Sequence, residues 1–334
     1  MPRAAGDVDR LDEDDVRIRP GRGNSRPRSK QRPSHDTAAD GMVVTVDRGR
    51  YTVLIGEVEV SAMRARELGR KAIAVGDRVS VVGEVSDAPD ALVRIVRIAP
   101  RTTVLRRTAD DSDPYERVIV ANADQLIIVA ALADPEPKYG LIDRAIVAAL
   151  SAGLDPILCL TKADLVDNAD EVLHRYEPLE VGVLVTRRDG DLDELRSRLT
   201  GKVSVLVGHS GVGKSTLINA LVPDAHRVTA AVSAIGKGRH TSVSAIALRL
   251  PHDSGWVIDT PGVRSFGLAH VSADDLLWAF PDLEDGANLC PPGCEHLSAD
   301  AGCRLDAWVA AGNSTIDRLA ALRRLLVSRS TTPD

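Results

Sequence analysis

Residues 208–216 read Gly-His-Ser-Gly-Val-Gly-Lys-Ser-Thr, which fits the spacing G-x-x-x-x-G-K-[ST]. That spacing is one that holds phosphate. Gly208, Gly211 and Gly213 free the backbone to turn its N–H groups toward phosphate oxygens, with Ser210, Val212 and Thr216 completing the loop. Lys214 brings charge to the β and γ phosphates, and the Ser215 hydroxyl is a ligand for Mg²⁺. The apolar run "KVSVLV" precedes the loop and "LINAL" follows it, so the motif lies between an expected strand and an expected helix.

The loop does not choose between nucleotides. The stretch "TKAD" at 161–164 bears on that choice. A carboxylate at a strand end accepts two hydrogen bonds from the guanine N1–H and its 2-amino group, and adenine offers no such pair. Asp164 is therefore expected to read the base, with Thr161 and Lys162 lining the loop beneath it. "DTPG" at 259–262 follows the expected strand "GWVI". There Asp259 serves the Mg²⁺ site, and the Gly262 N–H meets a γ-phosphate. Between them, "GKGRHTS" at 236–242 offers Thr241 and Ser242 as further Mg²⁺ ligands. These are guanine-nucleotide elements, but the base reader comes before the phosphate loop. Such an order is that of a circularly permuted GTPase, possible because domain termini often lie close together at the surface.

The elements that must position these residues follow from the patterning. The chain has 334 residues, 44% of them hydrophobic and 3% aromatic, enough for two or three domains with ample core. A net charge of −6 argues against uniform coating of nucleic acid and confines RNA contact to local basic patches. The N-terminus lacks a leader pattern and no run approaches membrane-spanning length, so a cytoplasmic address is expected. Residues 1–37 read as a disordered basic tail, with seven basic and no acidic residues from Arg17 to Arg32. That tail is either a solvated extension or an arm for RNA phosphates.

From 38 to 106 the runs "GMVVTVD", "YTVLIGEVEVS", "DRVSVVGEV" and "ALVRIVRI" predict a five-stranded β barrel of the OB type. Tyr51 is its one aromatic, so base stacking is a weak expectation there. Residues 107–270 alternate strands and helices: "QLIIVAAL", a helix "LIDRAIVAALSAG" closed by Gly153, "PILCL", "VGVLV", a helix at 191–199, then the phosphate loop, "VSAIALRL" and "GWVID". This predicts an α/β domain with a mainly parallel sheet and ligand loops at the strand ends. Residues 271–334 hold a cysteine cluster and an amphipathic helix with Ile316, Leu319, Leu322 and Leu326 on one side, Arg318, Arg323 and Arg324 lying mostly off it.

Permuted order, an N-terminal barrel and a C-terminal Cys/His cluster together resemble the ribosome small-subunit-dependent GTPase A (RsgA, YjeQ) family. The resemblance spans nearly everything from about residue 40 onward and is carried by "GHSGVGKSTLINAL", "GKGRHTS", "DTPGVRSFGL" and the cysteines. It implies a multidomain α/β protein that hydrolyses GTP to GDP and phosphate, stimulated by the small ribosomal subunit during its late maturation. The implied partners are that subunit and its rRNA, with Mg²⁺ accompanying GTP and the protein acting as a monomer. Where the family has Asn at the start of the base-reading motif, this chain has Thr161, which keeps a hydroxyl and loses the amide, so weaker nucleotide binding is expected. Ser242 stands for a frequent Thr, and the loop "VTRRDG" lacks the usual Ser-Ala, leaving Thr186 in its place.

Cys290, Cys294, His296 and Cys303 supply three thiols and one imidazole, a closed tetrahedral set suited to one structural zinc ion. Three residues separate the first two cysteines, against four in the family. The alternatives are free thiols, or one disulfide that strands the third cysteine. Cys159, within an apolar strand, reads as core. Many switch GTPases orient water with a Gln after the "DTPG" glycine, but Val263 occupies that position. The resemblance points instead to His240 as the catalytic group; the plainer role is packing or RNA binding. Two other functions fit parts of the pattern: an assembly factor using GTP as a structural ligand, and a permuted GTPase for the large subunit, which the barrel and cysteines disfavour.

Overall fold

The computed structural model describes residues 37–47, 49–69, 72–86, 91–107, 117–223, 225, 245–261, 266, 268, 271–299 and 302–329. Most of the N-terminal tail, together with His240, Thr241, Ser242, Gly262 and Val263, lies outside these residues.

Alternation builds the N-terminal barrel. Its strands are β1 (Ala39–Asp47), β2 (Arg50–Ile55), β3 (Val58–Arg64), β4 (Arg78–Val82) and β5 (Leu92–Ile98). Val53, Val60, Ala62, Val79, Val81, Val93 and Ile95 point inward and are buried together. The circuit closes by antiparallel pairings β1–β2, β2–β3, β4–β5 and β1–β4 and a parallel pairing β3–β5. This is the expected five-stranded barrel. Tyr51 packs into its core rather than standing on the surface, so it offers no stacking platform.

A bulge between Val43 and Thr45 re-aims β1. Its first half, from Ala39 to Met42, pairs with β4, and Thr45 pairs with Ile246 of β12 (Ile246–Arg249). Arg249 of β12 also forms an ion pair with Glu57 in the β2–β3 turn at 2.5 Å. The barrel thereby continues through β12 into one sheet with the strands that follow.

The second half of that sheet holds β8 (Gln125–Ala131), β9 (Asp155–Thr161), β10 (Gly182–Val185), β11 (Lys202–Gly208) and β13 (Gly255–Asp259), all parallel, with β12 antiparallel at β13. Every residue of β8 is buried, as a central strand covered on both faces requires. A separate hairpin, β6 (Val104–Arg107) with β7 (Arg117–Ala121), leads into it. Helices α1 (Tyr139–Ser151), α2 (Asp170–Tyr176), α3 (Asp193–Leu199) and α4 (Lys214–Leu221) connect the strands. Gly153, at φ +70°, ends α1 as expected: its N–H donates to Leu150 O at 3.0 Å and the Leu154 N–H to Ala149 O at 2.9 Å.

The C-terminal region comprises α5 (Asp274–Leu277), α6 (Pro281–Ala287), α7 (Leu305–Ala310) and α8 (Ile316–Ser328). Two details of the expected α8 stripe change. Ile316, in the first turn, is 77% exposed, and Leu325 joins Leu319, Leu322 and Leu326 in the core. Arg318 is buried, not off the packed side. Its guanidinium lies 4.6 Å from the Phe280 ring centre and donates to Pro178 O (2.7 Å), Ala279 O (3.1 Å) and Asp282 Oδ1 (3.1 Å). Saturated donors are what let a guanidinium sit inside. Among the described residues, no helix is long and apolar enough to cross a membrane.

Candidate functional site

Register brings the motifs to one edge of the parallel sheet. Thr161 ends β9 opposite Ala131 of β8, Val129 of β8 lies opposite Gly208 of β11, and Leu206 of β11 lies opposite Asp259 of β13. The loops leaving β9, β11 and β13, with that of β8 between the first two, therefore emerge at the same carboxyl edge, where open α/β sheets bind ligands.

The phosphate loop needs its glycines for different reasons. A side chain at Gly208 would meet Val129 O at 2.7 Å and Val212 Cγ2 at 3.0 Å, so the close approach of β8 demands glycine. Gly211 and Gly213 adopt φ of +86° and +91°. Gly213 is the residue before α4, whose free N–H groups open toward the loop. Buried Val212 anchors the loop, while Ser210, Gly211, Ser215 and Thr216 are exposed. The Lys214 ammonium pairs with the Asp259 carboxylate, both side chains lying mostly out of solvent. Thr260, just beyond, is tied back by its hydroxyl to Leu206 O at 2.8 Å.

On the β9 side, the buried Thr161 hydroxyl donates to the carbonyl of Val212 at 2.6 Å. Lys162 takes a left-handed backbone (φ +58°) and its ammonium donates to the Asp134 carbonyl. The exposed Asp164 carboxylate accepts the Arg188 N–H at 2.9 Å. That backbone hydrogen bond is the main reason its pKa lies below the ordinary carboxylate value. Thr186 is buried, its N–H and hydroxyl both directed to Leu160 O at 2.7 and 3.1 Å. Its own carbonyl accepts the Ala163 N–H at 3.1 Å, which holds the "VTRRDG" loop against the "TKAD" turn. Arg188 and Asp134 act here through backbone atoms, which leave no side-chain signature in a sequence.

The structure gathers Cys290, Cys294, His296 and Cys303, with all four ligand atoms within 4.8 Å of one another. Cys290 Sγ is 3.9 Å from Cys303 Sγ, which in turn is 3.7 Å from His296 Nδ1. These separations exclude a disulfide between the pair and match the edges of a tetrahedron about one cation with bonds of about 2.0–2.3 Å. Burial first, with the adjacent Cys290 and Cys294 thiols adding to it, pushes Cys303 up to about 11. A cation bound among the three sulfurs would offset that cost, since the thiolate is the form that ligates metal. The Arg304 N–H donates to Cys290 Sγ at 3.2 Å, the kind of backbone support that ligand sulfurs accept. Cys159 is fully buried and burial raises it to about 12, as an inert core thiol should behave.

Comparison with known proteins agrees with this geometry. The family model described as RsgA GTPase matches residues 98–269. A protein of Gemmatimonas aurantiaca named small ribosomal subunit biogenesis GTPase RsgA is 35% identical over 312 residues, covering 88% of this chain and 99% of its own. One of the same name from Ectopseudomonas mendocina is 40% identical over 243 residues, covering 70% and 69%. The crystal structure of YjeQ from Thermotoga maritima superposes with a TM-score of 0.64 at 25% identity, over 88% of this chain and 99% of that one. The crystal structure of YloQ, described as a circularly permuted GTPase, has a TM-score of 0.61 at 23% identity, over 90% and 98%, and shares the fold.

Proposed function

Because the chain belongs to the RsgA GTPase family, we propose that it hydrolyses GTP to GDP and phosphate in the maturation of the small ribosomal subunit, and that this subunit stimulates the reaction. The observation that carries this reading is the meeting of Thr161, the phosphate loop and Asp259 at one carboxyl edge of the sheet despite their permuted order.

In this reading Gly208, Ser210, Gly211, Val212, Gly213, Lys214, Ser215 and Thr216 hold the phosphates, with Gly262 added on the γ side. Asp164 selects guanine, Lys162 lies along the base and Thr161 fastens the base side to the loop. Ser215, Asp259 and Thr241 would hold Mg²⁺, which supplies charge neutralisation at the transferring phosphate. Lys214 must then leave Asp259 for the phosphate, so nucleotide entry exchanges one ion pair for two charge interactions. His240 positions the attacking water when the subunit engages, a role that Val263 cannot fill. Zn²⁺ occupies the cysteine–histidine cluster as a structural ion, favoured by three thiolates with one imidazole and a closed shell. The protein works in the cytoplasm as a monomer on the subunit's rRNA.

The test is GTP turnover with and without purified small subunits, beside Lys214→Ala. Small subunits should raise turnover of the wild type, and the variant should be inactive in both conditions. A wild type that small subunits leave unstimulated refutes the reading.

A further inference from the structure

The α1 residue Arg144 is 1% exposed and sits between two segments that the nucleotide reading leaves unconnected. One terminal nitrogen donates to Ser328 O at 2.8 Å, the carbonyl of the last residue of α8. The other donates to the carbonyl of Phe266, on the chain that follows the Asp259-Thr260-Pro261 turn. A guanidinium suits both ends: it stays charged, its fork reaches two acceptors at once, and a helix C-terminus attracts a cation.

The α8 end is itself bound to the cysteine–histidine cluster. Arg329 donates to Val271 O at 2.8 Å and to Glu295 Oε2 at 2.6 Å, next to His296. Arg323 donates to His296 O at 3.1 Å and grips Asp306 with both terminal nitrogens at 2.9 and 2.6 Å. Beside Arg144, Asp143 holds Arg324 of α8 at 3.2 Å and Arg175 of α2 at 3.4 Å. On the opposite side, a cleft lined by Gly208, His209, Val212, Arg144 and Phe266 lies between this clamp and the phosphate loop. Phe266 therefore borders the cleft that reaches the phosphate loop while its carbonyl is held by a fixed charge.

From this arrangement we propose that Arg144 is a positioning residue that couples the chain after Asp259 to α8 and the metal cluster. A shift of the Phe266 carbonyl toward the nucleotide breaks or drags the clamp, and the α8 terminus changes its hold in turn. Linkage makes the effect mutual: a partner that grips the C-terminal region also sets where Phe266 sits. The inference rests on the GTPase reading above but assigns a role to a residue outside the nucleotide loops.

Arg144→Lys and Arg144→Met test it, because lysine keeps the charge without the two-armed fork. Circular dichroism and zinc content should stay as in the wild type, with GDP affinity close to it. Two readouts that simple destabilisation would not move should change. Stimulation by small subunits should fall about tenfold or more in both variants, and the ratio of subunit affinities between a non-hydrolysable GTP analogue and GDP should fall toward one. Folded variants with full stimulation and an unchanged ratio overturn the proposal. A second measurement needs neither variants nor ribosomal subunits: amide hydrogen exchange of α8 in the wild type loaded with GDP or with the analogue. The amides of Leu325 to Ser328 should exchange differently in the two states, and identical exchange overturns the coupling. Loss of stimulation in the wild type itself would strike the functional reading, leaving the exchange measurement to decide the clamp.

Discussion

The Thr161 hydroxyl donates to the carbonyl of Val212 at 2.6 Å, fastening the end of β9 to the middle of the phosphate loop. A threonine at the start of "TKAD" therefore keeps a bridge between the two motifs, although it lacks the amide of an asparagine. Gly213 lies beside it, and glycine is required there by its backbone, at φ +91°, rather than by any crowding against Thr161.

Thr161→Val keeps the shape and deletes the donor, leaving the Val212 carbonyl without its partner. The cost should be about 1–3 kcal/mol of stability, and GDP should bind about tenfold more weakly, since the loop loses its tether. Thr161→Ser should stay close to the wild type. Thermal melts and titration with fluorescent GDP check this, and wild-type affinity in the valine variant would show that the bridge is idle.

Asp164→Asn should weaken GTP and improve xanthosine triphosphate, since an amide donates to the oxygen that xanthine presents. The same carboxylate sets a pH dependence. Its pKa is depressed, chiefly by the Arg188 N–H, so the base-accepting anion persists as pH falls through the ordinary carboxylate range. Preference for GTP over inosine triphosphate should hold from pH 8 down to about pH 5 and fade only in stronger acid. Competition titrations across that range measure it; a preference already fading near neutrality would assign guanine selection to another group.

Purified protein should carry one zinc per chain. Cys294→Ser should lower zinc content and destabilise α6 to α8, while the phosphate loop, built on β11 and α4, still binds nucleotide. Metal analysis with limited proteolysis reads both effects. Stoichiometric iron, or a metal-free protein after reducing purification, would remove the zinc assignment.

His240→Ala should leave GDP affinity and basal turnover nearly unchanged and abolish the subunit-stimulated rate, because the proposed role of His240 begins only when the subunit engages. Binding of the GTP form to the subunit should persist for longer, as release waits on hydrolysis. Single-turnover hydrolysis at saturating subunit compares the two proteins. Full stimulation in the variant would exclude His240 from water positioning.

Local periodicity made much of this architecture legible before any coordinates. The barrel runs, the buried β8 and the Gly153 cap each follow from side-chain alternation or backbone preference within a dozen residues. The phosphate loop was legible for the same reason, since glycine, lysine and hydroxyl must lie in a fixed order to meet one phosphate chain. What escaped were partners distant in sequence. Arg318 lies off the apolar stripe by spacing, and its burial depends on Pro178, Ala279 and Asp282, which converge on it from far along the chain. Arg188 and Phe266 contribute backbone atoms, which any residue type supplies. Ile316 shares the spacing of the stripe yet stays exposed, while Arg318 and Leu319 of the same turn are buried, so periodicity alone does not say where the packed face begins.

The bulge in β1 bears on how the chain is made as well as how it stands. An antiparallel strand at the rim of a sheet presents unpaired N–H and C=O groups to any passing strand, and β12 would be such a rim. Thr45 meets Ile246 there, so the barrel covers the first position of that rim. That cover lies some two hundred positions earlier in the chain and is synthesised first. The nascent barrel can close on itself and wait, and the late strand then arrives at a finished template instead of an open one. Removing the barrel would expose β12 to neighbouring chains, so a truncated GTPase domain should clump even with its nucleotide loops intact.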